Sequence, residues 1–249
     1  MKFATELGRL FSPNVVTKYV ANSEAQNALN ALPKAKLPEI YRHGYPQGEI
    51  HPLEDYARIN NRALTEYCAL SAMQPEDILN LAHPETMHKK LERPLRVGDI
   101  GCGKAVALAS FYGNPHVQAV GIDKKATDVQ VGNVIIYGGD AEDKNSQFWA
   151  LPYDYLFCVL SAHYIDRHLT VIKRMKSCLA KGGKGYVVVP SEQVSEISGM
   201  NYIFDAESLK HGPFSEHGLR IITDVPDNTG VPRNIGTGGE ICVAIQFGN

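Results

Sequence analysis

The sequence predicts an α/β fold: a doubly wound, mostly parallel sheet of seven strands with an antiparallel last strand, preceded by a helical N-terminal extension. Three observations carry this prediction. Short, near-continuous apolar runs recur after Arg93, the pattern of strands buried on both faces of a parallel sheet. Helix-like segments separate these runs, and such alternation implies right-handed crossovers. The last two apolar runs have no room between them for a crossover helix, so they are expected to pair antiparallel.

Up to residue 90, apolar residues recur at helical intervals, at Val15, Val16, Tyr19 and Val20 and again at Leu53, Tyr56, Ala57, Ala63, Leu64, Tyr67 and Cys68. Pro33, Pro38, Pro46 and Pro52, with Gly44 and Gly48, make the stretch between irregular. Pro75, Glu76 and Asp77 suit the first turn of a helix that His83-Pro84 ends, because proline loses nothing at N1 and acids favour the positive end of the dipole. Strands follow at Leu95–Ile100, Val117–Ile122, Val134–Tyr137, Tyr155–Leu160 and Tyr186–Val189. Before the last of these, Leu169, Ile172, Met175 and Leu179 mark one face of a helix, with Gly182 and Gly183 read as its C-terminal close. Leu219–Val225 and Ile241–Phe247 form the closing hairpin at the sheet edge. The chain thus divides into a helical extension or lid, 1–90, and a sheet domain, 91–249.

Twenty-seven acidic and 25 basic side chains give a formal charge of -2, so no global field draws the molecule to nucleic acid or an anionic membrane, and no DNA partner is expected. No apolar run reaches the roughly 20 residues of a membrane helix. Five scattered cysteines, odd in number and without a C-x-x-C pair, argue against disulfides and a zinc knuckle and fit a reduced, cytoplasmic setting. His83, His88, His211 and His217 lack partners at metal spacing, so no metal is expected.

The chemistry is expected at the glycines. A strand runs into Asp99-Ile100-Gly101-Cys102-Gly103-Lys104-Ala105, at the sheet edge where open α/β folds bind ligands. The dinucleotide pattern G-x-G-x-x-G requires glycine where Val106 stands, which disfavours a nicotinamide cofactor. The segment instead resembles the nucleotide loop of class I S-adenosylmethionine-dependent methyltransferases, with Ala105 in place of the usual third glycine. The resemblance implies S-adenosylmethionine as cofactor, with Asp99, Gly101, Cys102, Gly103 and Lys104 around it. It places Asp123, ending the second strand, on the ribose hydroxyls, and Asp140 and Ala141, after the third, on the adenine.

The fourth strand ends in Ser161-Ala162-His163-Tyr164. The Pro-Pro motif of methyltransferases acting on exocyclic base or glutamine amines is absent. The His-Tyr pair, the D-x-G-C-G-K loop, Arg58 shortly before Asn60-Asn61, and Pro190 closing strand five resemble mRNA cap guanine-N7 methyltransferases. That resemblance implies a capped RNA 5′ end as partner, cofactor contacts by Arg58, Asn60, Asn61 and Ser161, and His163 and Tyr164 at the reacting base. Lys89, Lys90, Arg93 and Arg96, or Arg167, His168, Lys173, Arg174 and Lys176, would meet its phosphates or form a solvated face. Two alternatives stand beside it: a small-molecule O- or N-methyltransferase with His163 as general base, and a cofactor-binding protein without turnover.

Overall fold

The computed structural model of the chain describes residues 15–16, 23–34, 62–190, 220–226 and 241–248. Its strands are β1 (Val15–Val16), β2 (Leu95–Ile100), β3 (Val117–Asp123), β4 (Val129–Val131), β5 (Val134–Gly138), β6 (Tyr153–Val159), β7 (Leu179–Pro190), β8 (Arg220–Pro226) and β9 (Ile241–Gly248). They form one sheet of nine strands in the order β1-β8-β9-β7-β6-β2-β3-β5-β4. The seven predicted strands are present, with β1 and β4 added as short pieces at the two edges. β2, β3, β5, β6 and β7 run parallel, while β9 is antiparallel to both β7 and β8. Strand order reverses on either side of β2, because the chain proceeds outward to β3 and β5 and then returns to β6. The crevice at that reversal, above the carboxyl ends of β2, β3, β5 and β6, is where a doubly wound sheet opens for a ligand.

Six helices complete the described fold: α1 (Ser23–Ala31), α2 (Leu64–Leu70), α3 (Pro75–Ala82), α4 (Pro84–Leu91), α5 (Val106–Ala109) and α6 (His168–Ser177). Alternate residues of the central strands enter two separate cores. Val97, Ala119, Tyr155, Phe157, Tyr186 and Val188 pack with α1, α2, α3 and α5. Ile100, Val120, Leu156, Cys158 and Val187 pack with α6 and with Phe148 and Trp149. Burial on both faces explains why these strands read as unbroken apolar runs. α3 begins at Pro75 and is capped at its end by His83, as its sequence implies, and Pro84 then opens α4.

Two expectations are corrected. Val15 and Val16, read as part of a helical face, pair with Ile221 and Ile222 in a parallel ladder. A two-residue strand has no period of its own, and its state is set by a partner some two hundred residues away. Gly182 and Gly183 do not close the helix: α6 ends at Ser177, where the Cys178 N–H reaches back to the Arg174 carbonyl at 2.9 Å. The glycines sit inside β7, where pairing with β6 steps from Tyr153↔Leu179 to Tyr155↔Lys184. Gly182 takes φ +76°, and a Cβ on Gly183 would lie 2.6 Å from the Tyr153 carbonyl oxygen. A bulge, not a helix end, demands glycine here. Residues 35–61, which include the predicted irregular stretch and the apolar positions Leu53, Tyr56 and Ala57, lie outside the described residues, as do His211 and His217. Among the described residues no helix is long and apolar enough to cross a membrane.

Candidate active site

The turn after β2 is built on an alternation of left-handed residues, Gly101 at φ +69°, Gly103 at +52° and Ala105 at +55°. Gly101 has a second reason to lack a side chain, since a Cβ there would lie 2.5 Å from Ser161 Cβ and Oγ. The Ser161 hydroxyl lies 3.2 Å from the Gly101 carbonyl and 3.1 Å from that of Val159, so it fastens this turn to the end of β6. Nothing lies within 4 Å of a Cβ built on Gly103, which therefore presents bare backbone to open space.

Asp123 organises the same turn. Its Oδ2 accepts the Gly103 N–H and its Oδ1 the Lys125 N–H, both at 2.9 Å. Each oxygen keeps a lone pair for a further donor. Asp140 accepts the Glu142 N–H at 2.9 Å and pairs with Lys124 Nζ at 3.1 Å. The Glu142 N–H, followed by Lys124, holds the Asp140 carboxyl below the usual carboxylate range.

Asp99 differs from both. It is 1% exposed, and neither carboxylate oxygen makes a well-formed hydrogen bond among the described residues. Burial drives its pKa well above the usual range, the facing Tyr67 hydroxyl opposes that shift, and the Asp123 charge adds to it. Tyr67 is itself pushed up, first by burial and then by Asp99, so it remains a phenol able to donate.

Above these groups opens a cavity of about 500 Å³ at the ends of β2, β3, β5 and β6. Of the predicted residues, Gly101, Gly103, Asp123, Asp140, Ala141, Ser161 and Tyr164 line it. Asp99 stands outside the wall, but Tyr67, which faces it, is part of the wall. Cys102 and Lys104 do not line the cavity; Cys102 is buried, with its sulfur against Gly121. His163 belongs to the 3-10 turn Ala162–Tyr164 at the rim, and its side chain lies outside the described residues. Arg58, Asn60 and Asn61 also lie outside them. At the lip, Leu160 adopts φ +52°, a strained state for a bulky residue and one that concentrates at functional sites.

Several of the basic groups expected to meet phosphates are engaged within the protein. Arg93 grips Asp154 through two nitrogens at 2.7 and 2.8 Å, and the Arg96 N–H adds a third bond to the same carboxylate at 2.8 Å. Arg167 donates to Glu142 from its N–H and its guanidinium. Arg174 donates to the carbonyls of Ala141 and Glu142 and lies over the Trp149 ring.

A family model described as a methyltransferase domain matches residues 72–222, which takes in every strand around this cavity. The chain belongs to that methyltransferase family. Trans-aconitate 2-methyltransferase of Pseudomonas paraeruginosa is 27% identical to it over 124 residues, 48% of this chain and 43% of that protein, so the match spans less than half of the relative. Among solved structures, the plantazolicin methyltransferase BpumL in complex with SAH superposes with a TM-score of 0.49 at 12% identity, covering 91% of this chain and 97% of the other. Haemonchus contortus phosphoethanolamine N-methyltransferase 2 gives 0.47 at 12%, covering 81% and 60%.

The methyltransferase also carries cavity residues that its sequence did not single out for chemistry. Arg62, 5% exposed, and Tyr67, 6% exposed, come from the helical layer that precedes the sheet. Tyr67 reads as one apolar position of an amphipathic helix, and Arg62 has no local pattern at all. Lys124, Lys125 and Glu142 complete the wall on the side of β3 and β5.

Proposed function

We propose that this methyltransferase takes its methyl group from S-adenosylmethionine and delivers it to a small anionic acceptor, a carboxylic acid being the class that fits best. The residues suit the cofactor. The buried Asp99 carboxyl makes no well-formed hydrogen bond among the described residues, with only the Tyr67 hydroxyl facing it there, and the backbone at Gly103 is open for close approach. Asp140 and Ala141 would face the adenine, Asp123 the ribose, and Asp99 with Tyr67 the ammonium group. When bound, the cofactor supplies an electrophilic methyl group whose transfer leaves a neutral thioether. The chain's own contribution is alignment within a closed space, which accounts for large rate gains when two reactants are held together.

The observation that carries the acceptor class is Arg62, a guanidinium buried in the cavity wall. A cation fixed there favours a bound carboxylate, for which its planar fork is suited. The partial likeness to a trans-aconitate methyltransferase points the same way. Arg93, Arg167 and Arg174, three of the groups named for a cap triphosphate, serve internal partners, which lends the cap reading no support. A carboxylate acceptor is ionised at neutral pH, so no proton needs removal. Tyr164, in the cavity wall, would then recognise the acceptor, and no general base is needed.

Labelled-methyl transfer to a panel of unsaturated di- and tricarboxylic acids, primary amines and GpppG tests this. Methyl esters of the acids are expected. Arg62→Gln should raise the acceptor KM about tenfold or more, as expected for loss of a charged hydrogen bond, and change S-adenosylhomocysteine affinity less than about twofold. Transfer to GpppG, or to amines alone, overturns the proposal; a loss confined to S-adenosylhomocysteine affinity moves Arg62 to the cofactor's own carboxylate.

A further inference from the structure

On the far side of the β5 turn, two side chains remote in sequence converge on one peptide plane. The Ala141 carbonyl accepts from Trp149 Nε1 at 3.2 Å and from Arg174 Nη1 at 3.1 Å, so both its lone pairs are used. The same Arg174 nitrogen reaches the Glu142 carbonyl at 3.2 Å. The guanidinium carbon lies 5.2 Å from the centre of the Trp149 ring, an attractive arrangement of cation and ring. Trp149 is 9% exposed and fixed edge to face against Phe148.

The other end of that peptide plane is the Glu142 N–H, which donates to Asp140 Oδ1 at 2.9 Å. A single rigid unit thus runs from Arg174 and Trp149, through the 141–142 peptide, to the Asp140 carboxylate. With the carbonyl facing the clasp, the turn offers the cavity an acceptor on Asp140. The Ala141 N–H has no partner among the described residues and is available as a donor. Acceptor and donor in that order match the exocyclic amine and ring nitrogen of an adenine. They oppose hypoxanthine, whose oxygen and N–H reverse the pattern.

We propose that Arg174 and Trp149 are positioning residues for purine recognition, holding the 141–142 peptide so that Asp140 and Ala141 select an adenosyl over an inosyl cofactor. The inference rests on the reading that Asp140 and Ala141 face the adenine. The experiment compares binding of S-adenosylhomocysteine and S-inosylhomocysteine by calorimetry in the wild type, Arg174→Gln, Arg174→Lys, Trp149→Phe and Asp140→Asn, with steady-state kinetics alongside.

Arg174→Gln should lower the preference for the adenosyl ligand by about tenfold, the scale of a lost charged hydrogen bond. Its loss should fall on the cofactor KM more than on kcat. Arg174→Lys, which keeps a donor but not the fork, should restore part of the preference, and Trp149→Phe should cost about threefold. If Arg174→Gln does not fold, Trp149→Phe reads the same effect with the guanidinium retained. Equal weakening toward both ligands would mean general loosening and overturns the proposal, as does an unchanged preference in Arg174→Gln and Trp149→Phe while Asp140→Asn loses it. A preference that survives Asp140→Asn intact overturns the adenine reading itself.

Discussion

Two aspartates are buried to nearly the same degree against the same face of the sheet, Asp77 at 2% exposure and Asp99 at 1%, and the protein treats them in opposite ways. Asp77, on α3, receives both bonds of the Lys184 ammonium at 2.7 and 2.8 Å, the Tyr186 hydroxyl at 3.0 Å and the Tyr155 hydroxyl at 3.3 Å. Asn80 completes the cluster through Tyr155. Among the described residues, Asp99, near the end of β2, has only the Tyr67 hydroxyl facing it, without a well-formed bond. A buried polar group that is fully satisfied fastens structure, here the helical layer to β6 and β7. One left unsatisfied is costly unless something outside the chain completes it. The contrast separates a scaffold aspartate from the one proposed to meet the cofactor, without reference to any motif.

Removing Asp77 is the most severe test. Asp77→Ala leaves the Lys184 ammonium and two tyrosine hydroxyls facing a void, and breaking a buried pair of this kind costs about 3 kcal/mol. Lys184 is 44% exposed and can turn to water, which keeps the effect at the low end of that range. Urea unfolding checks this, and a loss below about 1 kcal/mol would mean that the cluster does not anchor the helical layer.

Asp99 should respond with the opposite sign. Because its native carboxyl is raised, the stability it confers is fully present below the unfolded value near 3.9 and is lost as pH rises through the native value. Asp99→Asn removes that loss. The free variant should be more stable than the wild type by about 1 kcal/mol at neutral pH, with no advantage below about pH 4. Its affinity for S-adenosylhomocysteine should fall about tenfold, the scale of a charged hydrogen bond. Thermal unfolding at pH 4 and pH 7, with and without ligand, reads both effects. A variant that is less stable and binds normally would show that Asp99 is a scaffold residue like Asp77.

The sheet was legible because burial on both faces writes itself into consecutive residues, as in Val97–Ile100 or Leu156–Val159. Gly101, Asp123 and Asp140 were legible because a strand end and its turn are local in the chain. Arg62 and Tyr67 were not, since what brings them to the cavity is the packing of a helical layer, and no spacing near residue 62 reports on a cavity at the end of β2. Charge misled for the same reason. Arg93 and Arg167 advertise themselves, whereas the carboxylates that hold them, Asp154 and Glu142, lie 61 and 25 residues away. Gly182 and Gly183 show that a need for glycine can be inferred from composition while its cause, a register shift in β7 instead of a helix end, depends on pairing with β6.

Backbone strain extends the contrast between scaffold and site at a smaller scale. Four described residues other than glycine have positive φ: Ala72 and Glu92 follow α2 and α4, and Ala105 and Leu160 stand beside the cavity. At a helix end the left-handed state closes the last turn and is a common terminal device. At Ala105 it costs about 1 kcal/mol relative to a right-handed residue. Ala105→Gly relieves that cost, but it gives up a buried methyl worth about 0.8 kcal/mol and adds freedom to the unfolded chain worth about 0.5 kcal/mol. The net change should therefore lie within about 0.5 kcal/mol of zero. Ala105→Val, with a branched side chain in the same conformation, should destabilise by about 2 kcal/mol, the upper end of the left-handed cost. Denaturation of the two variants in parallel measures the difference. If glycine instead stabilises by more than about 1 kcal/mol, the turn carries more strain than its φ alone implies, and the cavity lip, like Asp99, holds energy that the bound ligand would have to offset.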